Sequence, residues 1–348
     1  MRVLGIETSC DETSAAVVEG DGGSGAMRSL VILSQDVHEI FGGVVPEIAS
    51  RAHLTAIIPV IRRALSDASL TLDQIDAVAV TNAPGLVGAL LVGVSVAKGL
   101  AFSLGKPLIG VHHMEGHLFA ASLEEPTAVP PFTALLVSGG HTLIVDVPEW
   151  GRYEVLGRTR DDAAGEAFDK VGKLLGLPYP GGPHVERVAR EARRSSTRYS
   201  PPMLRRDQAR GSADYFDVSF SGLKTAVLNS VREKSSDGAL SDEDRGDLAR
   251  AFQTALVSTL VGKTERAVDA FARKRVVIAG GVAANRALVG ALRERFQGAG
   301  VAVVAPTQRL STDNAAMIAR AGLFRLSRGE RSGLDLTAHA SMPLPGTA

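Results

Sequence analysis

Two stretches of the chain have the same layout: RVLGIETSCDETSAAVVEG at residues 2–20 and FTALLVSGGHTLIVDVPEW at residues 132–150. Each runs from an apolar segment, through a short turn of hydroxyl, carboxylate or glycine residues, into a second β-prone segment. This layout is typical of a β-hairpin whose first strand is buried. The sequence therefore predicts two similar hairpins, one in each half of the chain.

The segments that follow the two hairpins also resemble each other. Residues 44–70 have an amphipathic pattern that predicts a helix broken at Pro59, and residues 76–85 (DAVAVTNAPG) have the pattern of a strand. In the second half, a helical pattern at 245–272 precedes a strand pattern at 275–285 (RVVIAGGVAAN). The repeated order indicates an internal duplication of an α/β unit. The alternative is a chance similarity of two buried strands.

We expect the duplicated units to form an α/β protein of two lobes with a central cleft. The N-terminal lobe is predicted to span residues 1–133 and to include the returning segment 312–348. The second lobe is predicted to span residues 134–311.

The composition is typical of a soluble globular protein, with 348 residues, 45% of them hydrophobic and 22% charged. The formal net charge is zero, so nucleic acid must be bound by a local patch. The single cysteine, Cys10, excludes an internal disulfide. The first residues match a strand rather than a signal peptide, and the apolar stretch 81–97, which contains Asn82 and Pro84, is shorter than the roughly 20 apolar residues of a membrane span. We therefore expect a cytoplasmic protein with no membrane partner.

Glycine-rich turns follow two of the predicted strands, in VSGG at 137–140 and AGGVAAN at 279–285. Glycine at the end of a strand lets the backbone aim its amides at a phosphate or a nucleotide. The P-loop pattern is missing, because Val257 stands where the first glycine before Gly262 and Lys263 would be required. A duplicated fold that binds a nucleotide with glycine turns fits better. A third glycine-rich segment, at 82–101, is compatible either with ligand approach or with tight helix packing.

Three histidines cluster in VHHMEGHLFA at residues 111–120. His113 and His117 are four positions apart, so a helix would place both rings on one face, where they could bind one metal ion. A carboxylate third ligand is available at Asp313, in LSTDNAAMIARAGLFRL, although that residue could equally be a helix N-cap. Two imidazoles and one carboxylate suit one divalent metal with open positions, Fe(II) or Zn(II).

A zinc peptidase is the competing interpretation of the same cluster. That chemistry needs the pattern H-E-x-x-H, with glutamate directly after the first histidine. Here Met114 follows His113, and Glu115 lies one position too far along. The spacing therefore disfavours a peptidase.

Nine motifs in order carry a resemblance to a known family. They are GIETSCDET, GGVVPEIASRAH, PGLVGALLVG, VHHMEGH, LLVSGGHT, DDAAGEAFDKVGKLLGLPYPGGP, VSFSGLKTA, AGGVAANR and STDNAAMIA, spread over residues 5–320. The chain closely resembles the bacterial catalytic subunits that make N6-threonylcarbamoyladenosine in tRNA. The resemblance implies the actin/sugar-kinase/heat-shock-ATPase fold. It also implies an acyltransferase that moves threonylcarbamoyl from threonylcarbamoyl-adenylate to the N6 amine of the adenosine on the 3′ side of the anticodon. The substrates would be tRNAs that read codons starting with A, and AMP would be released.

The resemblance also assigns residues to roles. It implies that the metal, with Fe(II) favoured over Zn(II), is held by His113, His117 and Asp313. The acyl-adenylate would be bound by Leu136, Val137, Ser138, Gly139, Gly140, Asp169, Gly182, Glu186 and Asn285; Glu186 stands where aspartate is common in the family. By analogy, Asp11 and Glu12 would position the acyl group or accept the amine proton. Their alternative role is that of solvated turn carboxylates.

One stretch of the chain is strongly basic. Residues 187–210 contain eight arginines against Glu191 and Asp207, and we expect this basic insertion to contact tRNA, unless it is only a solvated loop. The resemblance further implies two protein partners, a paralogous non-catalytic subunit and a small ATPase subunit. A metal-dependent peptidase stays open as an alternative. So does the non-catalytic paralogue itself, which would lack the three metal ligands that are present here.

Overall fold

The computed structural model describes residues 1–205, 207–212, 214–235 and 238–346. The chain forms two compact units, one of Met1–Val129 together with the segment that begins at Pro306, and one of Pro130–Ala305. The boundary expected after residue 133 falls inside a strand, and the boundary expected after residue 311 falls at the end of a short helix.

The first unit is built on a five-stranded sheet with the strand order β3-β2-β1-β4-β5. Strand β1 pairs antiparallel with β2 and parallel with β4, which in turn pairs parallel with β5. The strands are β1 (Arg2–Glu7), β2 (Glu12–Gly20), β3 (Gly25–Ser34), β4 (Ala77–Ala83) and β5 (Leu108–His112).

The second unit repeats this topology with the strand order β10-β9-β6-β7-β8. Its strands are β6 (Phe132–Val137), β7 (Thr142–Glu149), β8 (Arg152–Arg158), β9 (Arg275–Ala279) and β10 (Ala302–Val304). In both sheets a hairpin extends into a third antiparallel strand on one side, and two parallel strands follow on the other. The duplication inferred from the two hairpins is therefore confirmed, whereas the third strands, β3 and β8, were not predicted.

Ten helices connect and cover the strands in the described parts of the chain. They are α1 (Pro46–Asp67), α2 (Val87–Leu104), α3 (His113–Ala120), α4 (Ala164–Leu174), α5 (Gly181–Glu191), α6 (Ser221–Lys234), α7 (Asp242–Phe271), α8 (Arg286–Phe296), α9 (Gln308–Ser311) and α10 (Ala315–Ser327). Helix α1 runs without interruption, so the break expected at Pro59 is wrong. Pro59 lies on the exposed face, where the Thr55 carbonyl that loses its helical partner is also on the solvent side.

Both faces of the first sheet are covered, because alternate residues of β1 point in opposite directions. Leu4 and Ile6 are buried with residues of α1 and α2. On the other face, a side chain at Gly5 would collide with the Ala315 carbonyl, so this glycine lets the start of α10 cross directly over β1. That crossing fixes the position of the residues just before α10.

Among the described residues, one helix, α2, is long and apolar enough to cross a membrane by length and composition alone. It packs against β4 and α1, and glycines in and just before the helix allow this close approach. Added Cβ atoms at Gly85, Gly88 and Gly93 would lie 2.5–2.6 Å from atoms of Ser9, Ser50 and Thr8. These glycines therefore serve tight packing within the first unit, the second of the two explanations that their sequence pattern left open.

Candidate functional site

The two histidines of the cluster lie where a strand passes directly into a helix. Strand β5 ends at His112, and α3 begins at the next residue. The His112 ring accepts a hydrogen bond from the amide of Met114 at 3.2 Å and so caps the helix. His113 and His117 consequently occupy successive turns of α3, and their ring centroids are 4.7 Å apart.

Asp313 meets both histidines at a single oxygen. Its Oδ1 lies 3.3 Å from His113 Nε2 and 3.1 Å from His117 Nε2. One ligand atom from each of the three residues lies within 4.8 Å of the others. The N-cap of α10 is Asn314, whose side chain accepts from the amide of Met317, so Asp313 does not have the capping role that its sequence context allowed. Its carboxylate is left to face the histidines.

A second carboxylate, Glu7, supports the cluster from behind, and the sequence analysis missed it. Glu7 Oε2 lies 3.1 Å from His113 Nδ1 and accepts a hydrogen bond of 2.5 Å from the Thr81 hydroxyl. The other oxygen of Glu7 accepts from the Ser9 amide at 2.5 Å. Strands β1, β4 and β5 are parallel, so their carboxyl ends, with Glu7, Thr81 and His112, meet at one edge of the sheet. The available signal was a glutamate that ends an otherwise apolar strand.

The electrostatics of the cluster favour a cation. Burial would raise the pKa of Asp313, but the adjacent His113 and His117 lower it strongly. Burial would lower the pKa of His113, but Asp313 and Glu7 raise it well above its usual value. Burial keeps the pKa of His117 below its usual value, and His113 keeps that of Glu7 low against the effect of burial. Two buried carboxylates thus face two imidazoles, an arrangement whose acidic groups attract a cation.

The residues present fit a divalent metal ion. Their donors are two imidazole nitrogens and a carboxylate oxygen, a set that suits Fe(II) or Zn(II) and leaves positions open. Glu7 stands behind His113 as an outer carboxylate, which is the usual partner of a metal-bound imidazole. In the part of the chain that is described, the buried Nδ1 of His117 has no hydrogen-bond partner. The other ring nitrogen, Nε2, is the one that points at Asp313.

Asp11 and Glu12 lie in the same unit, at the turn between β1 and β2, and both are half-buried. Burial raises the pKa of Glu12 well above its usual value, and the charges of Asp313 and Asp11 raise it further. The charge of Asp313 therefore acts on Glu12.

The surroundings of Glu115 do not suit a catalytic base. It is almost completely buried, and its Oε2 accepts from Arg325 of α10 at 2.8 Å and 2.7 Å through Nε and Nη2. A carboxylate fixed in this way cannot serve as the base that H-E-x-x-H peptidases require.

In the second unit, the predicted glycine turn lies between β6 and β7. The Ser138 amide donates to the His141 carbonyl at 2.8 Å, and side chains added at Gly139 and Gly140 would meet nothing within 4 Å. Exposed, open glycines leave their backbone accessible to a ligand. Leu136 and Val137 are fully buried, so their side chains cannot contact one.

Two further glycines hold this turn in place. An added Cβ at Gly165, near the start of α4, would lie 2.6 Å from the Ser138 carbonyl. Gly280, which follows β9 with a φ of +88°, approaches the Val137 carbonyl so closely that no side chain would fit. Because β6 and β9 are parallel, the two glycine segments predicted from the sequence meet at one edge of the sheet.

The remaining residues that were predicted to bind the acyl-adenylate connect helices of the second unit. Asp169 of α4 accepts from the Gly181 amide at 2.8 Å, which places Gly182 in the first turn of α5. Glu186 accepts from the Arg286 amide at 2.7 Å, and Asn285 caps α8 by accepting from the Leu288 amide. Asn285 also donates to Gln253 at 3.1 Å, so its side chain already has partners.

The Arg-rich stretch, residues 187–210, is part helix and part loop. Residues 187–191 are the last turns of α5, and the described residues that follow have no helix or strand as far as an isolated bridge at Val218. Arg206 lies outside the described residues.

Two sheets of identical strand order define a protein with the actin-like ATPase fold, as predicted. Solved structures show the same fold. Full-length HypF in its phosphate- and nucleotide-bound form aligns with a TM-score of 0.60 at 14% identity, covering 95% of this chain and 47% of that chain. Component A of the (R)-2-hydroxyglutaryl-CoA dehydratase of Acidaminococcus fermentans aligns with a TM-score of 0.55 at 16% identity, covering 94% and 98%.

Sequence comparison places the chain within this class. The sequence model of the tRNA N6-adenosine threonylcarbamoyltransferase family matches residues 26–320. The enzyme of that name from Gemmatimonas aurantiaca is 60% identical over 99% of this chain and 98% of its own length. The one from Symbiobacterium thermophilum is 52% identical over 97% and 95%. The chain belongs to the tRNA N6-adenosine threonylcarbamoyltransferase family, as its motifs predicted.

Proposed function

We propose that the chain transfers threonylcarbamoyl from threonylcarbamoyl-adenylate to the N6 amine of the adenosine on the 3′ side of the anticodon, in tRNAs that read codons starting with A. The bond from N6 to the carbamoyl carbon forms as the bond from that carbon to the AMP phosphate breaks. The amine loses a proton, and AMP leaves. The observation that carries the proposal is the convergence of His113, His117 and Asp313 in a chain of this family.

We propose that these three residues hold one divalent metal, Fe(II) rather than Zn(II). When bound, it would supply Lewis acidity to the carbamoyl oxygen or to the leaving phosphate. The reaction needs a Lewis acid because the lone pair of an adenine amine is delocalised into the ring, which makes the amine a weak nucleophile. Glu7 fixes the orientation of His113 through its Nδ1.

In this proposal the second unit binds the acyl-adenylate. The exposed backbone at Gly139 and Gly140 would donate amides to the phosphate or to the developing oxyanion. Asp169 would accept from ribose hydroxyls. Asn285 and Glu186 would act by fixing the start of α8, since their side chains already bind its first amides.

The proton of the attacking amine needs an acceptor, and we assign it to the Asp11–Glu12 turn. The raised pKa of Glu12 makes its carboxylate a stronger base than an ordinary glutamate, which suits a group that takes up a proton. A neutral imidazole at His117 is engaged with Asp313 and is a poorer candidate.

We further propose a cytoplasmic enzyme that works with a paralogous subunit and a small ATPase. Support for a protein partner comes from an apolar surface in the first unit. Leu54 and Ile58 on α1, and Val87 and Leu91 on the neighbouring α2, are between 41% and 64% exposed. Side chains of this kind on two packed helices are typical of an interface.

Neither alternative fits as well. A peptidase lacks its base, because Glu115 is bound to Arg325. A non-catalytic paralogue would have no use for a buried cluster of three ligands with its own outer carboxylate.

The test is transfer of labelled threonylcarbamoyl by the full-length chain with its two partner subunits, Fe(II) or Zn(II), and a tRNA that reads codons starting with A. Labelled N6-threonylcarbamoyladenosine in nuclease digests is the expected product. The matched control is the same tRNA with guanosine in place of the target adenosine. Absence of product with either metal, or chelator-sensitive peptide cleavage instead, would refute the proposal.

A further inference from the structure

The described residues between α5 and α6 contain a segment that lies along helix α7, and we define residues 192–215 as the basic strap; Arg206 and Ala213 are outside the described residues. In sequence the strap has six arginines and two acids, Asp207 and Asp214. Its described residues form no helix or strand of their own. Its conformation therefore depends on its contacts with α7.

The first attachment is a buried carboxylate near the start of α7. Asp247 is fully buried and accepts from the amide and the hydroxyl of Ser196, each at 2.7 Å. It also accepts from the Thr197 hydroxyl at 2.7 Å and from the Thr197 amide at 3.1 Å. One side chain thus fixes the backbone of two adjacent strap residues.

The middle of the strap is held by small and polar residues of α7. The Thr259 hydroxyl lies 3.3 Å from the Pro202 carbonyl and shares its proton with the Ala255 carbonyl of the same helix at 3.0 Å. A side chain at Gly262 would lie 2.7 Å from Leu204, so the glycine lets Leu204 pack directly on the helix.

The far end is held by two cations. The ammonium group of Lys263, a fully buried residue, donates to the carbonyls of Asp214 and Tyr215 at 2.7 Å and 2.8 Å. Arg266 donates to the Arg205 carbonyl at 2.7 Å and lies over the Tyr215 ring, 4.6 Å from its centroid. Removing an ammonium group from water is costly, and these two hydrogen bonds offset part of that cost.

The attachments at Asp247, Thr259 and Gly262 follow the same order in the strap and in α7, and those at Lys263 and Arg266 lie beyond them on the helix. At 1.5 Å per helical residue, they extend over roughly 28 Å. Along this line the strap arginines with assigned positions are exposed. Arg194 and Arg205 have acidic neighbours at 3.6 Å and 3.9 Å, whereas Arg193 and Arg198 have no ion-pair or hydrogen-bond partner among the described residues.

We propose that the basic strap is a prearranged surface for the phosphodiester backbone of RNA, with Asp247 and Lys263 as positioning residues that hold its arginines in line. This inference rests on the proposed function, in which tRNA is the acceptor. Guanidinium groups bind phosphate in a bidentate manner, and phosphate contacts carry no base specificity. An ordered line of arginines loses less entropy on binding than a free loop would.

Two kinds of variant separate the effect of strap charge from the effect of strap positioning, and the first kind removes charge. Arg193→Gln with Arg198→Gln removes two exposed charges, and Arg152→Gln with Arg293→Gln removes two exposed charges elsewhere in the same unit as the control. Affinity for the tRNA transcript is measured by fluorescence anisotropy from 50 to 400 mM salt. Loss of two phosphate contacts should lower the salt slope by roughly 0.7–0.9 per contact and weaken binding roughly 25- to 60-fold at 0.1 M. The control should keep the slope of the wild type.

Asp247→Asn and Lys263→Met change no exposed charge of the strap. They should weaken tRNA binding several-fold with an unchanged salt slope, and they should open the strap to trypsin at Arg193, Arg194 and Arg198. Metal content and binding of the acyl-adenylate should stay as in the wild type.

The strap proposal is overturned if Arg193→Gln with Arg198→Gln binds tRNA with wild-type affinity and slope, or if it binds tRNA normally but loses the small ATPase subunit. Unchanged trypsin resistance and unchanged tRNA affinity in both positioning variants would remove the positioning role. These outcomes are distinct from failure of the proposed function, in which the wild type itself, supplied with its partners, would transfer nothing to tRNA.

Discussion

His113 stands between two carboxylates, with Glu7 at its Nδ1 and Asp313 at its Nε2. Each carboxylate has a different effect. Asp313 shares one oxygen between two imidazoles and completes a three-donor set, whereas Glu7 is fixed by Thr81 and Ser9 and can only orient the ring. At the scale of single residues, ligand and support are therefore separable by mutation.

Replacing any one of His113, His117 and Asp313 with alanine should remove the metal. A site with two donors left should lose more than the roughly 10–100-fold in affinity that loss of an outer partner costs. Metal per chain, by mass spectrometry of the purified protein, should fall from near one to near zero, with most transferase activity lost and the circular dichroism spectrum kept. His184→Ala, at a half-buried histidine of α5, is the control and should keep its metal. Stoichiometric metal in all three alanine variants would show that the ligands are wrongly assigned.

Glu7→Gln should leave the three ligands in place but weaken metal binding by about 10–100-fold, because an amide holds His113 less firmly than a carboxylate does. The stoichiometry at saturating metal should stay at one. Competition with a chelator of known affinity would measure the loss of affinity. Glu19→Gln, at an ion pair with Arg2 at the far end of the same hairpin, should have no effect. Equal affinities of the two variants would contradict the outer role of Glu7.

At the scale of elements, α2 shows how glycine spacing determines packing. Gly93 lies against Thr8, whose hydroxyl donates to the Ala89 carbonyl at 2.9 Å, while Gly99 on the same helix faces open space. The two positions have the same residue type and secondary structure but opposite surroundings.

Gly93→Ala should therefore destabilise the protein by about 1–3 kcal/mol, since the added methyl group would lie 2.5 Å from a buried side-chain oxygen. Gly99→Ala should instead stabilise it by up to about 1 kcal/mol through helix propensity. Urea unfolding of both variants measures the difference. If both substitutions stabilise, α2 does not pack as closely as described.

Asp247 gives a pH-dependent prediction for α7 and the strap. Burial would raise its pKa, but the hydrogen bonds from Ser196 and Thr197 lower it to about 2, below its usual value of 3.8. A lowered folded-state pKa stabilises the fold above the unfolded value, and this stabilisation is lost as the pH falls toward about 2. The difference in free energy of unfolding between wild type and Asp247→Asn should be constant above pH 5 and shrink below about pH 4. A difference that grows on acidification would contradict the assignment.

At the scale of the whole molecule, equal numbers of acidic and basic residues limit what the chain can do alone. With 38 of each and a formal net charge of zero, no long-range field draws tRNA to it. Binding then depends on local charge in the strap and on surfaces that partners add, which agrees with the exposed apolar side chains of α1 and α2.

The chain on its own should therefore give little turnover, and disrupting that apolar surface should prevent activation by the paralogous subunit. Ile58→Arg with Leu91→Arg should abolish co-elution with that subunit in gel filtration, with metal content and melting temperature kept. Leu334→Arg, at another exposed leucine, is the control and should still form the complex. Robust multiple turnover by the isolated wild type would refute the need for a partner.

Some features of this protein follow from short-range patterns, and the sequence by itself determined these. The two hairpins, the duplication and the pairing of His113 with His117 depend on residue alternation or helical spacing, which local chemistry fixes. The same holds for the glycines at 139 and 140, because a turn that directly follows a buried strand is recognisable in one dimension. The family motifs then extended these patterns to Asp313 and Asp169.

The tertiary structure alone decided which of these residues meet and which are occupied elsewhere. His117 and Asp313 are 196 positions apart, and His113 and Glu7 are 106 apart. Parallel strands bring the carboxyl ends of β1, β4 and β5 to one edge, and Gly5 lets α10 cross closely enough to deliver Asp313 there. Glu115 forms an ion pair with Arg325, Asn285 caps a helix, and the Arg-rich stretch is held along α7. No local sequence pattern predicts these contacts. The physical reason is that side chains distant in sequence become neighbours only through packing of the elements that hold them.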